Sequence, residues 1–206
     1  MVTVWGRKNS VNVQKVLWAL DEAGVLFMRV DAGGEFGLLD TEDYRTLNPN
    51  QRIPTLVDGD TVVWESNAVT RYIVAKWSDG DLWPIDPGLR AVADMWMDWV
   101  QTTVMGPLTR IFWGLVRTPP DQRDIADIRQ NTIECGHVFK ILDAALVHRD
   151  YIVGDRFTVG DIPAGAVVWR YLSLNIDRPE LLHVDEWMER LKRRPAFQKH
   201  VMLPLT

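Results

Sequence analysis

The chain has 206 residues, of which 47% are hydrophobic and 25% charged; this is the balance of an ordinary soluble globular protein, with room for one large domain or two modest ones, and it excludes a disordered or fibrous chain. Its 28 acidic and 23 basic side chains are scattered, for a formal net charge of −5, so no surface is built for a phosphate backbone and nucleic acid is not an expected partner. Cys135 is the single cysteine, Met1 to Lys8 carries no apolar run of signal length, and no long uncharged apolar stretch occurs, so a reducing, cytoplasmic setting without a membrane span is expected.

Val2 to Trp5 reads as a short strand, followed by a polar loop, Gly6 to Asn9, that leads to Ser10. Val13, Val16, Leu17 and Leu20 then recur at helical spacing as far as Ala23-Gly24, which predicts an amphipathic helix of about three turns. Leu26 to Val30 reads as a second strand, and residues 31–48 as an irregular connection with a short helix around Thr41 to Leu47. Thr55 to Val57 and Thr61 to Trp64 flank the turn dipeptide Asp58-Gly59, a hairpin signal, and a helix is predicted over Ser66 to Lys76. Strand, helix, strand, connection, hairpin and helix make a thioredoxin-like layout over residues 1–77. The breakers Asp79-Gly80, Pro84 and Pro87 place a linker at 78–88, and residues 89–206 read as all-helical. Leu89 to Val116 carries Val92, Trp96, Trp99 and Val100 at helical spacing, with Gly106-Pro107 expected to kink or divide it. Ile125 to Val147 repeats the pattern, a further helix opens near Thr158 with Asp161 at capping-box spacing, and a last one runs about Val184 to Arg193. The basic run Arg190 to Arg194 fits the carbonyl end of that helix better than a binding patch.

Several motifs fail on context. His137, His148, His183 and His200 lack HExxH spacing, and Cys135 and His137 would face different ways on a helix, so no metal site is expected. Gly33, Gly34 and Gly37 follow a strand but lack the GxGxxG spacing and lead into polar loop, so dinucleotide binding is not expected; there is also no Walker A loop and no GxSxG elbow. The ten tryptophans sit mostly at core-facing spacing and read as packing.

The segments Ser10-Val11-Asn12-Val13-Gln14-Lys15-Val16, Asn48-Pro49-Asn50-Gln51-Arg52-Ile53-Pro54-Thr55-Leu56 and Trp64-Glu65-Ser66-Asn67-Ala68 resemble those of the glutathione transferase family, in the same order and at the same intervals. Phe157 to Ile162 is similar to the capping box and hydrophobic staple of that family's sixth helix. The resemblance spans nearly the whole chain. It implies a thioredoxin-like domain followed by an all-helical domain, a homodimer, and a cytoplasmic detoxification enzyme that joins the glutathione thiolate to a small apolar electrophile, with glutathione as cosubstrate and no further cofactor. A glutathione-dependent disulfide or peroxide reductase, or a non-catalytic ligand-binding protein on the same fold, is the alternative.

Glutathione presents two carboxylates, one ammonium, two amides and a thiol, and the thiol must be deprotonated to attack. A hydroxyl at the N-terminus of a helix suits a sulfur anion, because it donates a hydrogen bond where the helix dipole favours negative charge. Ser10 has that location, where spacing alone reads it as an N-cap; resemblance to theta-type members makes it the sulfur donor. Asn12 departs from the theta pattern and resembles bacterial members with a Thr and an Asn two apart, so Asn12 is the alternative donor. By the same resemblance Pro54 is a cis-proline, and Ile53 pairs its backbone with the cysteinyl part of glutathione. Glu65 and Ser66 open a helix where N–H groups and the Ser66 hydroxyl can hold the γ-glutamyl carboxylate and Glu65 the ammonium, with an N-cap as the plainer role for Ser66. Gln51 and Arg52 are placed to meet the glycyl end, Arg52 being equally readable as a solvated charge. Met105, Thr109 and Phe112 share a helix face and are the candidate wall for the electrophile; core or dimer packing explains the same stripe.

Overall fold

A computed structural model describes residues 1–78 and 80–206; Asp79, within the expected linker, lies outside the described residues. Four strands, β1 (Val2–Trp5), β2 (Phe27–Val30), β3 (Thr55–Asp58) and β4 (Thr61–Trp64), form one sheet in the order β2-β1-β3-β4. β1 runs parallel to β2 and antiparallel to β3, and β3 runs antiparallel to β4. Val2 and Val4 are buried while Thr3 and Trp5 are half-buried, the alternation that the strand period imposes. β2 starts at Phe27, one residue later than expected, because the pairing with β1 begins at Val2 opposite Phe27. The hairpin register pairs Asp58 with Thr61, so the two-residue loop is Gly59-Asp60 and not Asp58-Gly59. Gly59 has φ +59°, at the first loop position, where a II′-type turn requires positive φ and therefore glycine.

Helix α1 (Val11–Glu22) crosses from β1 to β2, the short α2 (Glu42–Leu47) lies in the connection after a 3-10 turn at Gly34–Phe36, and α3 (Ser66–Trp77) follows the hairpin. Among the described residues the regular elements that follow are helices, apart from an isolated bridge at Tyr151 and Gly154: α4 (Pro87–Trp99), α5 (Met105–Phe112), α6 (Ile125–Ala145), α7 (Asp161–Leu172), α8 (Leu182–Lys192) and α9 (Pro195–His200). The sequence predicts α1 as amphipathic, yet Val11, Val13 to Leu20 and nearly all between them are buried. It is packed by α3 on one side and by α7 and α9 on the other; Trp18 lies against Phe157 and Phe197, at centroid distances of 5.5 and 4.8 Å. A helix gripped between layers has no solvent face to show.

Pro87 and Gly88, expected in the linker, form the first turn of α4, with Asp86 as N-cap accepting from Leu89 N–H at 2.8 Å. Proline at the first helical position loses no hydrogen bond, so it starts a helix as readily as it ends one. Pro195 does the same for α9, which the sequence reading does not anticipate. Gly106-Pro107, expected to kink or divide the helix, lies inside α5, and the regular helix is interrupted just before it. π-Helical turns at Val100–Val104 and Trp113–Arg117 flank α5, and Met105 N–H reaches Val100 C=O five residues back. The widened turn just before Pro107 absorbs the missing donor and the ring that would crowd a regular ladder. No helix among the described residues is long and apolar enough to cross a membrane.

The two layers are joined by polar locks. Arg194 donates to both carboxylate oxygens of Glu22, at 2.8 and 2.6 Å, and Trp18 Nε1 donates to the same carboxylate at 2.8 Å. Arg71 on α3 pairs with Asp94 and Asp98 on α4, and Asn67 Nδ2 donates to Met97 C=O at 2.7 Å. At the start of α7 the fully buried Asp161 accepts from the N–H groups of Ile152 (3.0 Å) and Thr158 (2.9 Å) and from Trp187 Nε1 (2.9 Å). This is half of the expected capping box: Asp161 reaches back to Thr158 N–H, whereas Thr158 Oγ1 accepts from Gly160 N–H at 3.3 Å. Burial pushes the Asp161 carboxyl up to about 6 against the pull of its donors.

Candidate functional site

A cleft of about 580 Å³ lies where the sheet layer meets the helical layer. Its floor is the N-terminus of α1. Ser10 occupies the N-cap position in extended backbone, but its hydroxyl makes no capping bond; it lines the cleft. The plain N-cap role therefore lacks its hydrogen bond, and the hydroxyl is left to face whatever occupies the cleft.

Asn12 also lines the cleft. Its Oδ1 accepts from Lys15 Nζ at 3.0 Å and from Ser66 Oγ at 3.3 Å. Since an ammonium only donates, Lys15 fixes which end of the Asn12 amide is oxygen, and Nδ2 makes no hydrogen bond within the described residues. Lys15 is 0% exposed, and burial, the largest cause, followed by the charge of Arg170, draws its pKa down to about 7, with Glu65 opposing.

The loop before β3 forms one side. Tyr44 on α2 donates to Arg52 C=O at 2.6 Å, and Asn48 Nδ2 donates to the same oxygen at 2.8 Å; both also bond Thr55 Oγ1. These contacts hold Gln51, Arg52 and Ile53 on the cleft. The Ile53–Pro54 peptide bond is cis, and Pro54 is buried behind the cleft. Gln51 has φ +53° and Glu65 φ +69°, a region that costs a non-glycine residue of order 1–3 kcal/mol and clusters where ligands are held. Glu65 is exposed at the N-cap of α3 without a capping bond. Ser66 is the first residue of α3, 4% exposed, and bonds Asn12 rather than capping its own helix, so the N-cap reading of Ser66 is not what the geometry has. Glu65, Ser66 and Pro54 stand just outside the residues that line the cleft.

The opposite wall is α5 with the turn after it. Met105, Thr109 and Phe112 all line the cleft, Met105 half-buried, Thr109 exposed and Phe112 buried. Three arginines that the sequence reading did not single out stand beside them: Arg7 after β1, Arg117 at the end of the second π-turn and Arg170 on α7. Arg170 stacks its guanidinium 4.2 Å from the Phe112 ring centroid. No sequence signal announces the group, because its members are brought together from positions as far apart as 7 and 170.

A mixed four-stranded sheet whose first helix N-terminus and cis-proline loop open onto a helical layer defines the class, a two-domain thioredoxin-fold protein with its ligand cleft at the domain junction. Residues 1–75 match the family described as glutathione S-transferase, N-terminal domain, and residues 93–195 the one described as glutathione S-transferase, C-terminal domain. The chain is 39% identical, over the full length of both, to glutathione S-transferase GstB of Escherichia coli K12, and 33% identical to glutathione S-transferase 3 of Zea mays, covering 96% of this chain and 92% of the maize protein. The crystal structure of the theta class glutathione S-transferase from Xanthomonas axonopodis pv. citri with glutathione bound superimposes with a TM-score of 0.96 at 46% identity, covering 100% of this chain and 99% of that one. The chain belongs to the glutathione S-transferase family and is an enzyme of that activity.

Proposed function

We propose that Ser10 donates a hydrogen bond to the glutathione sulfur and holds it as thiolate for attack on a small electrophile, with Asn12 Nδ2 as the supporting donor. The observation that carries this reading is a serine hydroxyl at the N-terminus of a buried helix, open to the cleft and free of any capping bond. The helix dipole adds positive potential beneath the sulfur. Gln51 and Arg52 meet the glycyl carboxylate, the backbone of Ile53 next to Pro54 meets the cysteinyl part, and Glu65 and Ser66 at the opening of α3 take the γ-glutamyl ammonium and carboxylate. The bound glutathione of the Xanthomonas relative supports a glutathione site here.

In the reaction the thiolate forms an S–C bond, the leaving group departs with its electron pair, and Met105, Thr109 and Phe112 shelter the electrophile. Cys135 takes no part: it is buried and its thiol is pushed up to about 12 by burial. The working unit is a cytoplasmic homodimer, with residues 1–77 as glutathione-binding domain, 78–88 as linker and 89–206 as helical domain. Exposed apolar side chains on β4 (Val62, Trp64) and α4 (Leu89, Met95) support the dimer.

Calorimetry with glutathione tests the site. Binding at micromolar to millimolar level, weakened in Glu65→Ala and Ser66→Ala, is the expected result; no heat at millimolar glutathione from folded protein refutes it.

A further inference from the structure

Four arginines line the cleft, Arg7, Arg52, Arg117 and Arg170, and no aspartate or glutamate does. Arg52, beside the cis-proline loop, is assigned to the glycyl carboxylate of glutathione. The other three are left over on the electrophile side, and none of them is in a salt bridge with an Asp or Glu side chain among the described residues.

Their own contacts leave donors to spare. Among the described residues the Arg7 side chain makes no hydrogen bond; its stem packs over Gly34, where an added Cβ would sit 3.4 Å from it. Arg117 spends one nitrogen on the Thr206 main-chain oxygen, at 2.5 Å. Arg170 gives one to Asn9 C=O at 3.2 Å, while its Nε is buried without a partner. Burial and the charges of Arg117 and Arg7 draw the Arg170 pKa down to about 10. The Arg7 pKa is lowered by burial and by Arg117, with Glu35 alone opposing. These guanidiniums thus repel one another in a partly dry site, and an entirely apolar occupant would desolvate them further with nothing in return.

We infer that the second substrate is an anionic electrophile, an apolar or aromatic body that packs against Phe112 and Trp113 and carries a carboxylate bound by Arg7, Arg117 and Arg170. This rests on the transferase reading of the site and specifies its substrate. Guanidinium forks suit carboxylate geometry, and charge-assisted bonds are the strong ones. For a chloromethyl arene the glutathione sulfur forms the new S–C bond, the C–Cl bond breaks, chloride leaves with the bonding pair, and the thiol proton has already passed to solvent. The carboxylate takes no part in the bond changes; it orients the reacting carbon.

The test compares 4-(chloromethyl)benzoate with its methyl ester, which offers the same reacting carbon without the charge. Each kcat/KM is divided by the uncatalysed rate with free glutathione. The acid is expected to be favoured about tenfold or more, and the ratio to fall toward one in Arg117→Gln and in Arg7→Gln. A separate binding arm uses the conjugates: S-(4-carboxybenzyl)glutathione should bind at least tenfold tighter than its methyl ester, a gap that high salt and either variant narrow. Equal acid and ester values in both arms, or a preference that survives both substitutions, overturn the anion assignment while leaving the transferase reading intact. Failure to turn over either compound, with neither conjugate bound more tightly than glutathione, overturns both.

Discussion

Removing the Ser10 hydroxyl separates chemistry from folding in a way the structure makes unusually clean. In Ser10→Ala the helix start loses no capping bond, since none is made, so stability should stay within about 0.5 kcal/mol of wild type rather than fall by the ~1 kcal/mol of a working cap. A hydrogen bond to a charged group is worth ~1.5–3 kcal/mol, which at ~1.4 kcal/mol per pKa unit raises the bound thiol by roughly one to two units. Thiolate absorbance of the bound glutathione against pH reads this directly, and urea melts of the same samples read the stability. Asn12→Ala is the necessary companion, and a less clean one. It removes the one side-chain acceptor that the fully buried Lys15 has among the described residues, as well as a bond to Ser66. An unchanged thiol pKa in Ser10→Ala together with a raised one in Asn12→Ala would show that the asparagine carries the chemistry; no change in either would remove both from the sulfur.

Lys15 has a folded pKa of about 7, below its unfolded value, so between pH 7 and about 10 the unfolded chain holds a proton that the folded one has released, and stability rises with pH by up to about 1.4 kcal/mol per unit. Urea denaturation from pH 6.5 to 9.5 should show that slope in wild type and its loss in Lys15→Met; a wild-type-minus-variant difference that is flat with pH contradicts the assignment. Asp161→Ala strands the buried N–H donors of Ile152, Thr158 and Trp187, and at ~1–3 kcal/mol for each orphaned group it should destabilise by roughly 3 kcal/mol or more, read by denaturant midpoint. Sedimentation at low micromolar concentration should find a dimer, and a stable monomer there counts against the proposed assembly.

Much of this was legible in the sequence because it is local. The β-branched runs of Val2 to Trp5 and Thr61 to Trp64 fix their strands, and Ser10, Asn12 and Gln51 to Ile53 each sit beside a chain reversal whose position short-range chemistry dictates. The hairpin loop came out one residue early because Asp-Gly favours one turn type, while the cross-strand pairing of Asp58 with Thr61 selects another with glycine first. The helix that Pro195 starts was not read at all. The burial of α1 on nearly all sides, and with it that of Lys15, depends on α7 and α9, distant segments of the chain, which no period within residues 11–22 records. The arginine group was invisible for the same reason.

The two π-helical turns that bracket α5 act as phase adjusters for the cleft. Each residue of a helix turns the chain by about 100°, and a π-turn takes up one extra residue at nearly the phase of a regular helix one residue shorter, so tightening Val100–Val104 to an α-helical turn without a change of length would swing Met105, Thr109 and Phe112 by about that angle relative to α4. A single insertion at Trp113–Arg117 would likewise re-aim Arg117 and leave the wall before it in place. Changes in these turns, with no wall residue replaced, are thus a second route to altered specificity: the first turn moves apolar wall and Arg117 together, the second moves Arg117 alone.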